Sequence, residues 1–256
     1  MAVNWTREQT IVAMNVYCKI PFKKSSARHP LVIEYAKLIG RTPASLNLKI
    51  GNLGSFDPAL KAKGIGGLGH SSRMDKEVWD EFFNNPEKLA YESEKIIAAL
   101  RDKPLEESTM IDLSNLPIGS ERSAVVRQRI NQQFFREAVL CSYENRCCIS
   151  GIGNRSLLEA CHISSWQDDI KNRTNPRNGL CLNPLFHKAF DKLLLSITPD
   201  YTIDISKTMI DDVAEERFKA YLTALNHTQI LLPEKFLPDR DLLAMHHEQY
   251  KQKQLL

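Results

Sequence analysis

The sequence predicts an α+β protein, with a mostly helical N-terminal region followed by a small strand–strand–helix core that carries flanking helices. Three observations carry this. Apolar residues in the first hundred positions recur at helical spacing between recognisable caps and Gly or Pro stops. Further on, two short apolar runs enclose a polar loop and lead into a helical run. Between the two regions, Arg101 to Ser123 holds Pro104, Pro117, Gly119 and mixed charge, the composition of a linker. The expected division is a helical domain over residues 1–100, a linker over 101–123, and a second domain over 124–256 with its core at about 140–206.

The elements follow in order. In WTREQTIVAMNVYCKI, Thr6 reads as an N-cap and Gln9 stands at the capping-box position, with Ile11, Val12, Val16 and Ile20 near helical spacing. A helix from Leu31 to Ile39 should end at Gly40. After a turn with Thr42 and Pro43, a second helix from Ala44 to Ile50 should close at Gly51. That pattern reads as a helix-turn-helix, with Ser45, Asn47, Lys49 and Asn52 facing outward towards a DNA groove. Charge agrees: from Lys19 to Lys63 there are nine cations, Arg41 and Lys49 among them, against Glu34 and Asp57. The other reading is a small helical bundle with a solvated basic face.

Residues 61–75 are Gly-rich but lack the Gly-Lys-Ser/Thr ending of a phosphate loop, which argues against nucleotide binding there. Helices should cover Lys76 to Phe83 and Pro86 to Leu100. AVVRQRINQQFFREAVLCSYENRC reads as one helix with Val126, Ile130, Phe134 and Val139 inward.

The core is the most informative segment. SLLEACHI reads as a strand with His162 near its end, and GLCLN as a second strand broken at Pro184. The polar stretch between them, Ser164 to Asn178, is a loop. LFHKAFDKLLL has helical spacing, which puts His187 and Asp191 four positions apart on one face. An imidazole and a carboxylate so placed make half a site for a divalent cation. YTIDISKTMI reads as a strand and DVAEERFKAYLTAL as an amphipathic helix. His246 and His247 read as part of a solvated tail.

These residues resemble the HNH endonuclease family over about a quarter of the chain, in the phrases LLEACHISSW and NGLCLNPLFHKAFD. His162 matches the first His of the motif, Asn178 the Asn and His187 the last His. The resemblance implies a ββα-metal fold and metal-dependent hydrolysis of DNA by one divalent ion. Magnesium or manganese is the expected metal, with zinc or nickel as alternatives. On this reading His162 is the general base, since imidazole titrates near neutrality. His187 and Asp191 hold the metal, and Asn178 bridges the loop behind His162. Cys161 stands where many HNH nucleases carry a ligand, and a thiolate there would favour a soft ion such as zinc. The other reading makes Cys161 a packed strand residue, with water in that position. Arg173 and Arg177 are candidates for phosphate contacts, as are Arg41, Asn47 and Lys49 for DNA contacts by the N-terminal region; a solvated basic loop is the plainer reading of the first two. The joined N-terminal module is similar to those of bacterial restriction or phage-defence nucleases; the alternatives are a nuclease activated by a ligand or partner at a sensing N-terminal module, and a DNA-binding protein with an inactive core. Cutting both strands would need two active sites, hence a homodimer.

Composition sets the limits. The formal charge of +3 is too small to identify a partner by itself. No apolar run approaches membrane-spanning length, and no signal-peptide layout opens the chain. Six cysteines without Cys-x-x-Cys spacing read as reduced thiols of a cytoplasmic protein and argue against a structural zinc ribbon.

Overall fold

The computed structural model describes residues 4–66, 69, 71–112 and 120–255. Residues 67, 68 and 70 of the Gly-rich segment and 113–119 of the expected linker lie outside the described residues.

Helix α1 (Arg7–Lys19) starts with the expected capping box: Gln9 N donates to Thr6 Oγ1 and Thr6 N donates to Gln9 Oε1. Its residues Thr10 to Cys18 are all buried, so α1 is a central helix with no water-facing side along that stretch. Around it pack α3 (Pro43–Gly54), α5 (Arg73–Phe83), α6 (Pro86–Leu100) and α8 (Ser120–Ser142), with α2 (Pro30–Leu38), α4 (Pro58–Ala62) and α7 (Leu105–Ser108) between them.

The two helices expected on either side of Gly40 are present, but the extent of the second and the outward placement of its residues need correction. Helix α3 runs on through Gly51 to Gly54. Lys49 does not face outward: it is 5% exposed and pairs with buried Asp75 at 2.5 Å. Lys49 lies on the inner face with Leu46, Ile50 and Leu53, where helical periodicity puts it. Asn47 is half-buried and accepts from Ser25 Oγ at 2.7 Å. Arg41 donates from Nε (3.1 Å) and Nη2 (2.8 Å) to Gln9 Oε1, and its guanidinium sits 5.0 Å from the Trp5 ring centre.

The second core gathers the end of α8, the hairpin β1 (Glu159–His162) and β2 (Gly179–Leu182), helix α9 (Pro184–Asp191), the hairpin β3 (Leu195–Ile197) and β4 (Ile203–Ile205), α10 (Lys207–Asp211), α11 (Glu216–Leu225) and α12 (Arg240–Gln254). β1 and β2 pair antiparallel, with Cys161 opposite Leu180 and His162 opposite Gly179. The helical run after β2 is shorter than its sequence pattern. It stops at Asp191, Leu193 turns at a φ of 52°, and Leu195 already begins β3. Helix α8 serves both cores: Val126, Ile130, Phe134 and Ala138 join the first, while Phe135, Val139 and Leu140 join the second.

Residues 231–236 clasp the two cores. Leu231 N donates to Cys148 O at 2.7 Å and Glu234 N to Ser142 O at 2.7 Å. The Glu234 carboxylate accepts from Phe22 N at 2.7 Å and Lys23 N at 3.0 Å. Buried Lys235 donates to Ile20 O at 2.8 Å and to Tyr17 O, carbonyls at the end of α1. Phe236 is buried in the first core beside Tyr17 and Phe83.

His246 is not part of a solvated tail. It is 7% exposed and stacked on Phe190 at 3.6 Å, on the inner face of α12 with Leu243 and Tyr250. Its Nε2 donates to Phe190 O (3.2 Å), so Nδ1 accepts from Ser196 Oγ (2.9 Å). That arrangement requires the neutral ring, and burial lowers its pKa to about 4. The unfolded chain takes up this proton near 6.5 and the folded chain only near 4. Stability is therefore fully present above pH 6.5 and declines as pH falls towards 4, by up to ~3 kcal/mol from this group. Urea unfolding at pH 7 and pH 4.5 is expected to show a smaller acid loss in His246→Gln than in the wild type. An equal loss would rule out His246 as the source.

Candidate active site

β1, β2 and α9 bring the core residues together, and close packing under the strands sets their positions. A Cβ on Gly179 would lie 2.3 Å from Val139 Cγ2 and 3.0 Å from Phe135 Cζ, so only glycine lets β2 approach α8 this closely. Phe135 in turn stacks flat on the His162 ring, with centres 3.8 Å apart and planes at 8°.

His162 is held by a backbone acceptor. Its Nε2 lies 2.9 Å from Arg173 O, so this contact assigns the proton to Nε2 and leaves the lone pair on Nδ1. Burial pushes the His162 pKa down, the Arg173 carbonyl partly offsets this, and nearby His187 lowers it further. A neutral imidazole with an available lone pair can take a proton from water.

Asn178 is fully buried and closes the loop between the strands. Its Oδ1 accepts from Ser164 N at 2.8 Å, and its Nδ2 donates to Ser164 O at 3.0 Å and Asn172 O at 3.2 Å. Its own carbonyl accepts from Ile163 N at 3.0 Å. The residue after His162 is thereby locked to the start of β2.

His187 and Asp191 share one face of α9, with His187 Nε2 3.6 Å from Asp191 Oδ2. The donor atoms of Cys161, His187 and Asp191 all lie within 4.8 Å of one another, spacing suited to one cation. Glu159, which sequence reasoning missed, places its Oε2 2.5 Å from His187 Nδ1. A carboxylate on one imidazole nitrogen turns the other towards the metal position, a common support for a metal-binding histidine. The signal was present: Glu159 and Cys161 are two apart on one strand and so share a face. Cys161 is fully buried, and burial together with the Asp191 and Glu159 charges raises its thiol pKa well above the ordinary value.

Of the two loop arginines, Arg173 donates Nε to Trp166 O at 2.5 Å and lies over the Trp166 ring at 5.4 Å. Arg177 is exposed and pairs with Asp239 at 3.0 Å. Asn47 and Lys49 lie on α3 and Arg41 just before it, and none of the three lines the cleft that holds His162.

His162, His187 and Asp191 line one cleft of about 610 Å³. Among the described residues no helix is long and apolar enough to cross a membrane. Residues 147–198, which take in β1, β2, α9 and β3, match the family model described as HNH endonuclease. The chain matches no curated protein.

Proposed function

We propose, from the premise that residues 147–198 form an HNH endonuclease segment and make the protein a nuclease, that it is a DNA endonuclease working with one divalent metal ion. The observation that carries this reading is a neutral His162 in the same cleft as His187 and Asp191, whose donors cluster with that of buried Cys161.

His162 accepts the proton of the attacking water on Nδ1 while its Nε2–H stays on the Arg173 carbonyl. Phe135 and Asn178 keep the ring and its strand in register, so the base loses little time to misalignment. His187 and Asp191 hold the cation, and Glu159 orients His187. A bound divalent ion supplies stabilisation of the negative charge that develops on the phosphate and on the leaving oxygen. Cys161 joins the donor set for a thiophilic ion, while magnesium and manganese would rely on His187, Asp191 and water. The N-terminal helices add phosphate contacts through exposed Lys23, Arg28, Lys37 and Lys61, which form no ion pair among the described residues.

Plasmid cleavage tests the reading. The wild type is expected to nick or cut in magnesium or manganese and to lose all activity in EDTA. His187→Ala is expected to need at least about tenfold more metal for half-maximal rate, since losing a ligand costs no less than losing the group that orients one. Cleavage that persists in EDTA, or an unchanged metal requirement in His187→Ala, would overturn the metal assignment. Cys161→Ser separates the ions: it should spare magnesium-supported cutting and weaken zinc-supported cutting.

A further inference from the structure

The cleft has two unlike parts, and the second is not used by the reaction just described. Beyond the donors, its wall is built by the loop 164–169 on one side, with Trp166, Asp168 and Asp169, and by α12 on another, with Leu242 and Met245. Trp166 is fixed in place. Its carbonyl accepts from Arg173 Nε at 2.5 Å, the Arg173 guanidinium sits 5.4 Å from its ring centre, and the ring stands at 81° to His162, 5.7 Å away. The proposed base and an indole are thus neighbours in one rigid arrangement.

That end of the cleft carries the Arg173 guanidinium over the indole and the carboxylates of Asp168 and Asp169 in its lining, so it offers a phosphate no net excess of positive charge. It suits a neutral flat heterocycle, which stacks on an aromatic ring whatever its identity. Met245 is 58% exposed and adds apolar surface to the same cleft from α12. The cleft, about 610 Å³ and open to solvent, has room for one nucleobase beside the donors. A base inside a duplex is stacked on both sides and cannot enter such a site without leaving the stack.

We infer that Trp166 is a platform for an unpaired nucleobase, and that the enzyme prefers DNA in which the nucleotide next to the scissile phosphate is single-stranded, bulged or flipped out. The inference rests on the cleft being the nuclease site, because the stacked base is what brings its own phosphate to His162, His187 and Asp191.

Binding in EDTA tests it without turnover. Fluorescence anisotropy would compare the full-length wild type, Trp166→Phe and Trp166→Leu on three oligonucleotides: a fully paired duplex, the same duplex with one bulged nucleotide, and the single strand. The wild type should bind the bulged and single-stranded forms about tenfold more tightly than the duplex, the scale of one stacked base. Trp166→Phe keeps a flat ring and should keep most of that preference. Trp166→Leu keeps apolar bulk without a ring face and should lose it, with duplex affinity unchanged. Intrinsic tryptophan fluorescence should be quenched by the bulged strand in the wild type, and that part of the quench should be missing in Trp166→Phe. Equal binding of the three DNAs by the wild type, or an unchanged preference in Trp166→Leu, would overturn the inference. Parallel reactions in magnesium or manganese separate it from the nuclease reading: Trp166-dependent binding with no cleavage of any DNA would leave the platform standing and remove the catalytic assignment.

Discussion

Replacing His162 with alanine is expected to lower DNA cleavage by about 10²–10⁴-fold, the usual worth of a positioned general base. The ring is held from two sides, by the stack on Phe135 and by the Arg173 carbonyl, and carries a lone pair at Nδ1. Losing it leaves that carbonyl without its donor, a cost of ~1–3 kcal/mol that a folded core can carry. DNA binding in EDTA should therefore persist while the single-turnover rate falls. Cleavage by the variant at the wild-type rate would move the base role to another group. The pH profile gives a second readout. The active form is the unprotonated ring, and burial keeps its pKa below the ordinary 6.5. The wild-type rate should therefore hold down to pH 6.5 and fall only as acid reaches the lowered pKa of His162.

Lys235→Ala is expected to destabilise the protein by ~3–5 kcal/mol, from a large-to-small truncation in a packed site together with orphaned acceptors. Lys235 is fully buried, its ammonium is 4.2 Å from the Tyr17 ring centre, and burial pushes its pKa down. Its hydrogen bonds go to Tyr17 O and Ile20 O, carbonyls that the end of α1 leaves unpaired. Alanine would leave both without a donor and open a cavity between the cores. Lys235→Met fills the volume and removes only the donors, so its loss should be smaller, ~1–3 kcal/mol in all. Urea midpoints would measure both. A Lys235→Met protein as stable as the wild type would show that the ammonium contributes nothing net to the clasp.

Local pattern carried much of the fold. The capping box at Thr6 and Gln9, the two strands and the helical spacing of His187 and Asp191 all follow from residues a few positions apart, and the structure holds each of them. Lys49 and His246 were misread by residue type, because a cation and a tandem histidine look like surface. Spacing contained the better answer: Lys49 repeats with Leu46, Ile50 and Leu53, and His246 with Leu243 and Tyr250. Other features had no local signal. The stack of Phe135 on His162 and the bonds of Glu234 and Lys235 to the end of α1 join residues far apart in the chain, and no periodicity encodes them.

The clasp at residues 231–236 limits how this protein can be taken apart or recombined. The front helices rely on a lysine, a glutamate and a phenylalanine that the chain delivers more than two hundred residues after α1 begins. A fragment ending near residue 105 would lose these partners as well as the Val126, Ile130 and Phe134 side of α8. Exchanging the front module for a homologous or designed one would need residues 231–236 exchanged with it, although the helix that follows them, α12, packs into the second core.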